Sequence, residues 1–411
     1  MRLLIISHTA HYINKDGRFV GHSPTIKEIN VLAHVFDEVI HLTFLHPGPA
    51  PPNVLPYEAE NIRIITVPPS GGLTLKAKLQ VIFKSHQYLK QIITLIPSAD
   101  IIHVRCPGSL GLYGMVACSF VRNKQKWIKF AGNWKGKFGQ IAPSHFFQRE
   151  WLRLGLCHAM VTVNGIWEDQ PDYVIPFLNP SADIKEIINA REKCTGKKLH
   201  PPYRIVFVGH TSPFKGLQIA LRIIRQLNID YPGQLIFDII GDGPERFSLE
   251  EYVEKNNLRD VVQFHGWVAH SKVFDLLIPA HFILLPTMSE GWPKILSEAM
   301  MFGVVPLASA ISSIPQLFLS IGTGIPILPI DENIYITNIR SLINNPNEWE
   351  RMSKAGMNSA PQFSYERYLL AVDNIFRNFY GQSPLNQDFI AEVREIFSEV
   401  SELDLNRFWS D

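Results

Sequence analysis

The chain lacks several features that would place it in well-known classes of protein. Its longest apolar runs, such as Leu3–Ile6 and Phe282–Pro286, are far shorter than the roughly 20 residues that span a bilayer, and no apolar signal-peptide core follows Met1. Its four cysteines are widely spaced without a C-x-x-C pair, which disfavours a disulfide framework and a zinc site. No G-x-G-x-x-G motif follows the first apolar run, which disfavours a dinucleotide-dependent dehydrogenase. We therefore expect a cytoplasmic protein.

The chain is long and apolar enough to fill two hydrophobic cores. It has 411 residues, of which 46% are hydrophobic. Residues 1–180 contain 18 Lys and Arg against 11 Asp and Glu, a net charge of +7, whereas residues 181–411 contain 21 against 27, a net charge of −6. A basic first half is typical of a protein that meets an anionic substrate or surface. We expect no nucleic-acid partner.

The positive charge is densest in residues 122–138, which contain no acidic residue. The basic and aromatic residues of this segment are Arg122, Lys124, Lys126, Lys129, Lys135 and Lys137, interleaved with Trp127, Phe130, Trp134 and Phe138. One interpretation is a peripheral contact with the inner face of a membrane, in which aromatic rings lie at the interface and lysines meet anionic headgroups. The other is a solvated loop beside a buried strand, and the sequence leaves both open.

Short β-branched runs alternate with helical segments, which predicts parallel sheets with crossover helices. The pattern restarts after turn signals in residues 179–202. We therefore predict an α/β protein of two tandem doubly wound domains, residues 1–180 and 181–363, followed by C-terminal helices in residues 364–411, the first of which packs back on the N-terminal domain. The predicted strands are 2–7, 39–45, 62–67, 100–105, 126–130 and 159–163, then 204–208, 235–240, 261–264, 282–285 and 304–308. The predicted helices of the first domain are 24–35, 75–96, 110–122 and 145–154.

The most informative motif follows the predicted strand 282–285. Residues 289–300 read S-E-G-W-P-K-I-L-S-E-A-M. Gly291 permits a tight turn, and Pro293 is favoured at the first helical position, so we predict a helix from about Pro293 with its positive dipole end facing a ligand. Glu290 and Glu298 are eight residues apart, which at about 100° per residue brings them within about 80° of each other around a helix axis. Both carboxylates can therefore address one ligand.

This motif resembles the E-G-x-x-x-x-x-x-E-A-M signature of the family-four retaining glycosyltransferases. The resemblance implies a GT-B fold, in which two Rossmann-like domains face a central cleft. It implies transfer of a hexose, with retention, from a nucleoside diphosphate sugar to a hydroxyl of a glycan or lipid-linked acceptor. In that family the second glutamate holds the ribose and the first lies beside the donor sugar. The implied donor-binding residues here are Glu290, Gly291, Trp292, Pro293 and Glu298.

Residues 208–217 resemble the G-R-x-x-x-x-K-G loop of the same family. The resemblance implies that Gly209, His210 and Lys215 bind the donor, and that the Lys215 ammonium neutralises charge on the leaving diphosphate. His210 stands where the family has arginine, and an imidazole supplies no fixed positive fork at neutral pH. This departure motivates one alternative, a catalytically silent partner subunit. The other alternative is a nucleotide-sugar epimerase of the same architecture.

The first domain carries the residues expected on the acceptor side. After strand 2–7 we predict a long loop ending in Gly21 and His22; related enzymes have a glycine-rich loop here, which implies that Gly21 lies near the donor phosphate and His22 near the acceptor. The family's histidine after the fifth strand is absent, and Asn133, followed by Trp134, stands in its place. We interpret the histidines at other strand ends, His8, His11 and His103, as structural or surface residues.

The chain also has no Asp-x-Asp pair, the usual metal-chelating motif of the other large glycosyltransferase fold. We therefore predict a reaction without metal or cofactor, in which the nucleotide sugar is a co-substrate. Charge on the diphosphate would instead be met by Lys215 and the helix N-terminus near Pro293.

Overall fold

The computed structural model describes residues 1–70, 83–136, 141–328 and 330–400. The chain divides into two compact units. Of the described residues, the first contains Met1–Leu178 and 365–400, and the second contains Asn179–Ser364. The described chain therefore passes from the first unit to the second and back again.

The first unit contains a mainly parallel sheet. Its strands are β1 (Arg2–Ile13), β2 (Phe19–His22), β3 (Glu38–Leu45), β4 (Val54–Pro56), β5 (Ile62–Val67), β6 (Ile101–Cys106), β7 (Gln125–Phe130), β8 (Met160–Val163) and β9 (Val174–Pro176). The parallel strands are ordered β5-β3-β1-β6-β7-β8-β9, and β2 and β4 pair antiparallel beside β1. Residues Leu3 to Ile6 of β1 are fully buried, as expected for a strand covered on both faces.

Helices cover one face of this sheet with an apolar core. The helices before residue 178 are α1 (Ser23–Ala33), α2 (Ser85–Leu95), α3 (Ser109–Phe120) and α4 (Pro143–Arg153). Tyr88 of α2, Met115 of α3 and Leu152 of α4 share one buried cluster with the sheet. The first part of the predicted helix 75–96 lies outside the described residues.

The segment after the first predicted strand is a hairpin, which corrects the predicted long loop. β1 continues to Ile13 and pairs with β2, placing His11 opposite Gly21. The turn between them is closed by Asn14, whose side-chain oxygen accepts hydrogen bonds from the N–H groups of Asp16 at 3.0 Å and Arg18 at 2.9 Å. A short polar side chain that hydrogen-bonds its own turn was the signal for this hairpin in the sequence.

The second unit contains a six-stranded, all-parallel sheet among its described residues, ordered β12-β11-β10-β13-β14-β15. Its strands are β10 (Tyr203–Val208), β11 (Leu235–Ile240), β12 (Val262–Gly266), β13 (Phe282–Leu285), β14 (Val305–Ser309) and β15 (Ile325–Ile327). Its helices are α5 (Ile184–Cys194), α6 (Leu217–Asp230), α7 (Arg246–Lys255), α8 (His270–Leu277), α9 (Lys294–Met301), α10 (Ile314–Ile321), α11 (Glu332–Asn344) and α12 (Pro346–Ser359). The strand order reverses beside β10, so ligands are expected at the carboxyl ends of β10 and β13.

Two C-terminal helices, α13 (Tyr365–Tyr380) and α14 (Gln387–Val400), belong to the first unit. Val372 of α13 and Val393 of α14 share a buried cluster with Leu32 of α1 and with β1. The Tyr380 hydroxyl donates to the Lys126 carbonyl and accepts from the Lys126 N–H, both at 2.8 Å. These helices therefore complete the second face of the first sheet.

Candidate functional site

Two loops of the second unit meet at the carboxyl edge of its sheet, one after β10 and one after β13. The Phe214 carbonyl accepts hydrogen bonds from the Met288 N–H at 2.8 Å and from the Thr287 hydroxyl at 3.1 Å. Gly216 follows with φ +70°, and a Cβ there would overlap the Pro286 carbonyl. Only glycine tolerates both the backbone angle and the close approach, so the two loops dock through it.

This docking brings together the two residues that the sequence assigned to catalysis. The Lys215 ammonium donates a hydrogen bond to the Glu290 carboxylate. The side chains are 31% and 20% exposed, so a ligand can still reach both. Such a part-exposed ion pair contributes only about 0–1 kcal/mol to stability. An anionic ligand can therefore replace the carboxylate as the partner of the ammonium at little cost.

The turn after Glu290 leads into α9 and contains a buried tryptophan. Pro293 is the N-cap residue, with ψ 115°, so the helix begins one residue later than predicted. The Trp292 ring is 5% exposed, stacks on Phe363 with 5.6 Å between ring centroids, and donates to the Ser297 hydroxyl at 2.8 Å. The Trp292 ring therefore fills the core behind the turn, and a donor contact at Trp292 stays a prediction.

Glu298, the second carboxylate of the motif, has a partner that the sequence did not reveal. Its side chain is 8% exposed, and its Oε1 lies 3.1 Å from Nε2 of His270. The His270 ring packs on Phe274 with 4.4 Å between centroids, which restricts its orientation. Because the two residues are 28 positions apart and lie on different helices, no spacing rule linked them. The imidazole orients the carboxylate predicted to hold the ribose.

The loops after β10, β11 and β12 converge around His210. The Thr211 N–H donates to the Asp242 carbonyl at 3.0 Å, and the ring centroids of His210 and Trp267 are 6.1 Å apart. Trp267 is 37% exposed, so its ring is partly available to a ligand. Gly209 lies in the same group of loops, where its N–H donates to the Ile240 carbonyl at 2.9 Å.

Arg246 does not substitute for the arginine that the resemblance implies at the position of His210. Arg246 follows the β11 loop, but its guanidinium contacts the Glu250 carboxylate at 2.5 Å and Asp242 at 3.8 Å. The same group lies 4.9 Å from the Phe264 ring centroid. Arg246 is thus engaged within the second unit and does not replace the missing fork.

In the first unit, the predicted acceptor-side residues have local roles in the fold. Gly21 is buried in β2, and a Cβ there would lie 2.7 Å from Nε2 of His11, while His22 is exposed at the end of that strand. The Asn133 side-chain oxygen accepts the Lys135 N–H at 3.0 Å, closing a turn. Trp134 is 4% exposed and packs edge to face on Phe130. A donor contact at Gly21 and acceptor contacts at His22 and Asn133 stay predictions. The Trp134 ring packs mainly in the core.

The central part of the basic segment, residues 126–130, lies in the core, which corrects the predicted membrane surface there. Trp127 and Phe130 are at most 1% exposed, and Lys126 and Lys129 are at most 4% exposed. The Lys126 ammonium donates to three main-chain carbonyls, and Lys129 pairs with a buried carboxylate. Lys137 and Phe138 lie outside the described residues. The aromatic rings of β7 therefore cannot lie in a bilayer interface.

The carboxylate that receives Lys129 is Glu28, a fully buried residue of α1. It accepts two hydrogen bonds from Arg105 at 2.9 and 3.1 Å, one from Lys129 at 2.7 Å and one from the Tyr368 hydroxyl at 3.0 Å. Burial and the Glu28 charge both raise the pKa of the Tyr368 phenol. The network joins α1, β6, β7 and α13, and sequence reasoning missed it because its other members are 77 to 340 positions from Glu28.

Buried histidines surround the first strand of the same unit. The His41 ring contacts the Ser7 hydroxyl at 2.7 Å and the Tyr57 hydroxyl at 2.6 Å, and His11 contacts Tyr57 at 2.7 Å. Burial lowers the pKa of His11 to about 4 and holds the pKa values of His41 and His103 well below their ordinary range. The interpretation of His11 and His103 as structural residues agrees with their burial.

In the described part of the chain, no helix is long and apolar enough to cross a bilayer. Among the same residues, no group of three or more His, Cys, Asp or Glu is arranged to hold a metal ion. The absence of a metal from the reaction stays a prediction.

Part of the chain is similar in sequence to a known protein family. Residues 191–359 match the family described as glycosyl transferases group 1. The chain is 29% identical over 113 residues to the phosphatidylinositol N-acetylglucosaminyltransferase gpi3 subunit of Schizosaccharomyces pombe, a match that covers 28% of this chain and 25% of that protein. Matches to the curated relatives cover between a quarter and about half of those proteins' lengths.

Solved structures share the fold over nearly the whole chain. Sucrose-phosphate synthase from Thermosynechococcus elongatus superposes with a TM-score of 0.68 at 17% identity, covering 93% of this chain and 99% of that one. Anabaena Alr3699/HepE in complex with UDP superposes with a TM-score of 0.58 at 13% identity, covering 92% and 100%. The predicted α/β class and GT-B fold are confirmed.

Proposed function

We propose, from the premise that residues 191–359 form a group 1 glycosyltransferase domain, that this protein transfers a hexose from a nucleoside diphosphate sugar to an acceptor hydroxyl. One observation carries the proposal. The docked loops after β10 and β13 hold the Lys215 ammonium against the Glu290 carboxylate, on the strand-end edge where open parallel sheets bind ligands. A nucleotide sugar offers a diphosphate for the ammonium and a sugar for the carboxylate.

Each residue has a distinct role in the proposed transfer. Lys215 stabilises the negative charge that grows on the departing diphosphate, and the N-terminus of α9 adds its dipole without a metal ion. Glu298, oriented by His270, accepts hydrogen bonds from the ribose hydroxyls. Glu290 binds the sugar that is transferred. Retention of the anomeric configuration is part of the proposal and rests on the family resemblance of the motif around these residues.

We further propose a uridine diphosphate N-acetylhexosamine as the donor. The named activity of the S. pombe relative is N-acetylglucosamine transfer, and the Anabaena structure is a complex with UDP. The half-exposed Trp267 ring beside His210 offers a surface on which a planar base can stack. That relative's name includes phosphatidylinositol, which supports a glycan or lipid-linked acceptor for this chain.

The proposal is tested by following UDP release from UDP-N-acetylglucosamine and from UDP-glucose with the purified chain. We expect release that survives EDTA and that stops when Lys215 is replaced by alanine. Binding of UDP without release from either donor, with glycan and lipid acceptors present, would favour the silent-subunit alternative that His210 motivates. Loss of release in EDTA with recovery in Mg²⁺ or Mn²⁺ would contradict the metal-free reaction. Conversion of the sugar without its transfer would favour an epimerase.

The peripheral membrane contact is retained only for the exposed end of the basic segment. Arg122 is exposed and Lys124 is half-buried, so both can meet anionic headgroups, at about 1 kcal/mol each. Co-sedimentation with anionic vesicles should fall at high salt and in a variant with Arg122 and Lys124 changed to glutamine. Equal sedimentation with anionic and neutral vesicles would remove the membrane from the proposal.

A further inference from the structure

The first unit contains a cavity of about 460 Å³ that none of the proposed roles uses. It lies between the loop after β7, the helix α4 and the loop after β8, on the strand-end edge of the sheet. Helix α4 contributes Phe146, Arg149, Glu150 and Arg153, which share one helical face because they are spaced i, i+3, i+4 and i+7. The volume falls within the range of about 300–1,000 Å³ that is typical of small-molecule sites.

Aromatic rings form part of the wall. Trp134, Phe146 and Trp167 all line the cavity. The Trp167 indole N–H donates to the Asn164 carbonyl at 3.1 Å, and the Lys135 ammonium lies 5.8 Å from the Trp167 ring centroid. These contacts hold the Trp167 ring in place before any ligand arrives, so stacking on it costs little side-chain entropy.

Charged groups of both signs form the rest of the wall. Arg149 is 4% exposed, and its guanidinium contacts the Glu150 Oε1 at 2.7 and 2.8 Å and donates to the Gly136 carbonyl. The Glu150 side chain is 36% exposed, so its carboxylate is accessible from the cavity side and has acceptor capacity beyond Arg149. Asp169 and Arg153 add one charge of each sign.

The residues that line the cavity favour one class of ligand over two others. A purely apolar ligand would leave the charged groups without water or partners, which is costly. A polyanion would meet the carboxylates of Glu150 and Asp169. A sugar ring has apolar C–H faces that pack on aromatic rings, and hydroxyls that both donate to carboxylates and accept from guanidinium groups. The lining therefore fits a saccharide better than either other class.

We propose that this cavity binds a sugar residue of the acceptor, one that does not itself react. The inference rests on the proposed function, because it assigns the cavity to the acceptor of that transfer. Trp134, which the sequence assigned to the acceptor side together with Asn133, lines the cavity, and the lining extends to Trp167 and Asp169 in the loop after β8. Occupation of this subsite would orient an extended glycan along the carboxyl edge of the first sheet.

The test is a glycan microarray probed with the full chain in saturating UDP. Wild type should bind a subset of glycans, and Trp167→Ala should reduce those signals about tenfold, the loss expected for one aromatic contact. Phe120→Ala removes a ring that is 82% exposed outside the cavity and should leave the signals unchanged. Glu150→Gln provides a second variant should Trp167→Ala fail to fold, and it should also lower the signals.

Binding of no glycan by wild type, or equal signals from wild type and Glu150→Gln, would overturn the subsite. With a soluble glycan acceptor, Trp167→Ala should raise the acceptor KM about tenfold and leave kcat within about twofold, because the contact is uniform binding. In both variants, the affinity for UDP and the rate of UDP release by donor hydrolysis, measured without acceptor, should match wild type. An absence of UDP binding or release in wild type counts against the proposed function, whereas unchanged glycan signals count against the subsite alone.

Discussion

Two ion pairs, one in each unit, differ sharply in exposure. In the second unit, Lys215 and Glu290 pair on loops and remain 31% and 20% exposed. In the first unit, Lys129 and Glu28 pair inside the core, where their side chains are 5% and 0% exposed. An exposed pair can exchange its partner for a ligand, whereas a buried pair holds structure because neither charge can return to water. We therefore predict that the Lys215–Glu290 pair serves binding, whereas the Lys129–Glu28 pair stabilises the fold.

Breaking the buried pair should have the largest effect on stability. Glu28→Gln leaves Arg105 and Lys129 as uncompensated buried charges, so the free energy of unfolding of the first unit should fall by about 3–5 kcal/mol. Chemical denaturation followed by hydrogen exchange measures this unit by unit. Glu38→Gln, which removes an exposed pair with Arg63, is the control and should cost less than about 1 kcal/mol. Equal effects of the two variants would contradict the contrast between buried and exposed ion pairs.

Breaking the exposed pair should affect rate and spare stability. Lys215→Ala removes the ammonium that stabilises the departing diphosphate, so kcat should fall by about 10²–10³. The free energy of unfolding should change by less than about 1 kcal/mol. Lys198→Ala breaks another exposed pair of the second unit, with Glu350, and should keep full activity. A fully active Lys215→Ala would remove Lys215 from the reaction.

The second carboxylate of the motif should act on nucleotide affinity. Glu298→Ala deletes a charged acceptor for the ribose hydroxyls, a contact worth about 1.5–3 kcal/mol, so the Kd for UDP should rise about 10- to 100-fold. Titration calorimetry measures the change, and Glu348→Ala, on an exposed helix start, is the control. Unchanged UDP affinity would place Glu298 outside the nucleotide site.

Lowering the pH should destabilise the first unit more than the second. Burial holds the pKa of His11 at about 4 against an ordinary 6.5, so the folded protein keeps this ring neutral while the unfolded chain gains a proton as the pH falls. The unfolded state then binds more protons, and stability decreases between about pH 6.5 and pH 4. From pH 7.5 to pH 5.5 we expect a loss of about 1 kcal/mol for this residue.

His41 and His103 add to the same loss in the first unit. In the second unit, burial lowers the pKa of His281 to about 4. Hydrogen exchange at both pH values should therefore show the larger decrease in the first unit. His11→Gln should flatten the pH dependence, and His86→Gln, at an exposed position, should leave it unchanged. A steeper pH dependence of stability in the second unit would contradict the prediction that buried histidines of the first unit cause the larger loss.

Most of the parallel architecture was readable from the sequence, and short antiparallel strands were not. The predicted strand 62–67 matches β5 residue for residue, because a β-branched run is a local signal. The strands β2 and β4 are four and three residues long; β2 exists through pairing with β1, and β4 through pairing with β2. A strand so short lacks periodicity of its own and is defined by its partner.

The sequence by itself determined the two α/β units and the position of the donor motif. Alternating strands and helices, and the spacing of Glu290 and Glu298, are properties of neighbouring residues, and the loops that follow parallel strands necessarily meet at one edge. Only the tertiary structure decided which charges are buried. Lys129 and Glu28 are 101 positions apart, and His270 meets Glu298 from another helix. Burial and long-range pairing depend on how elements pack, and local spacing contains no record of that packing.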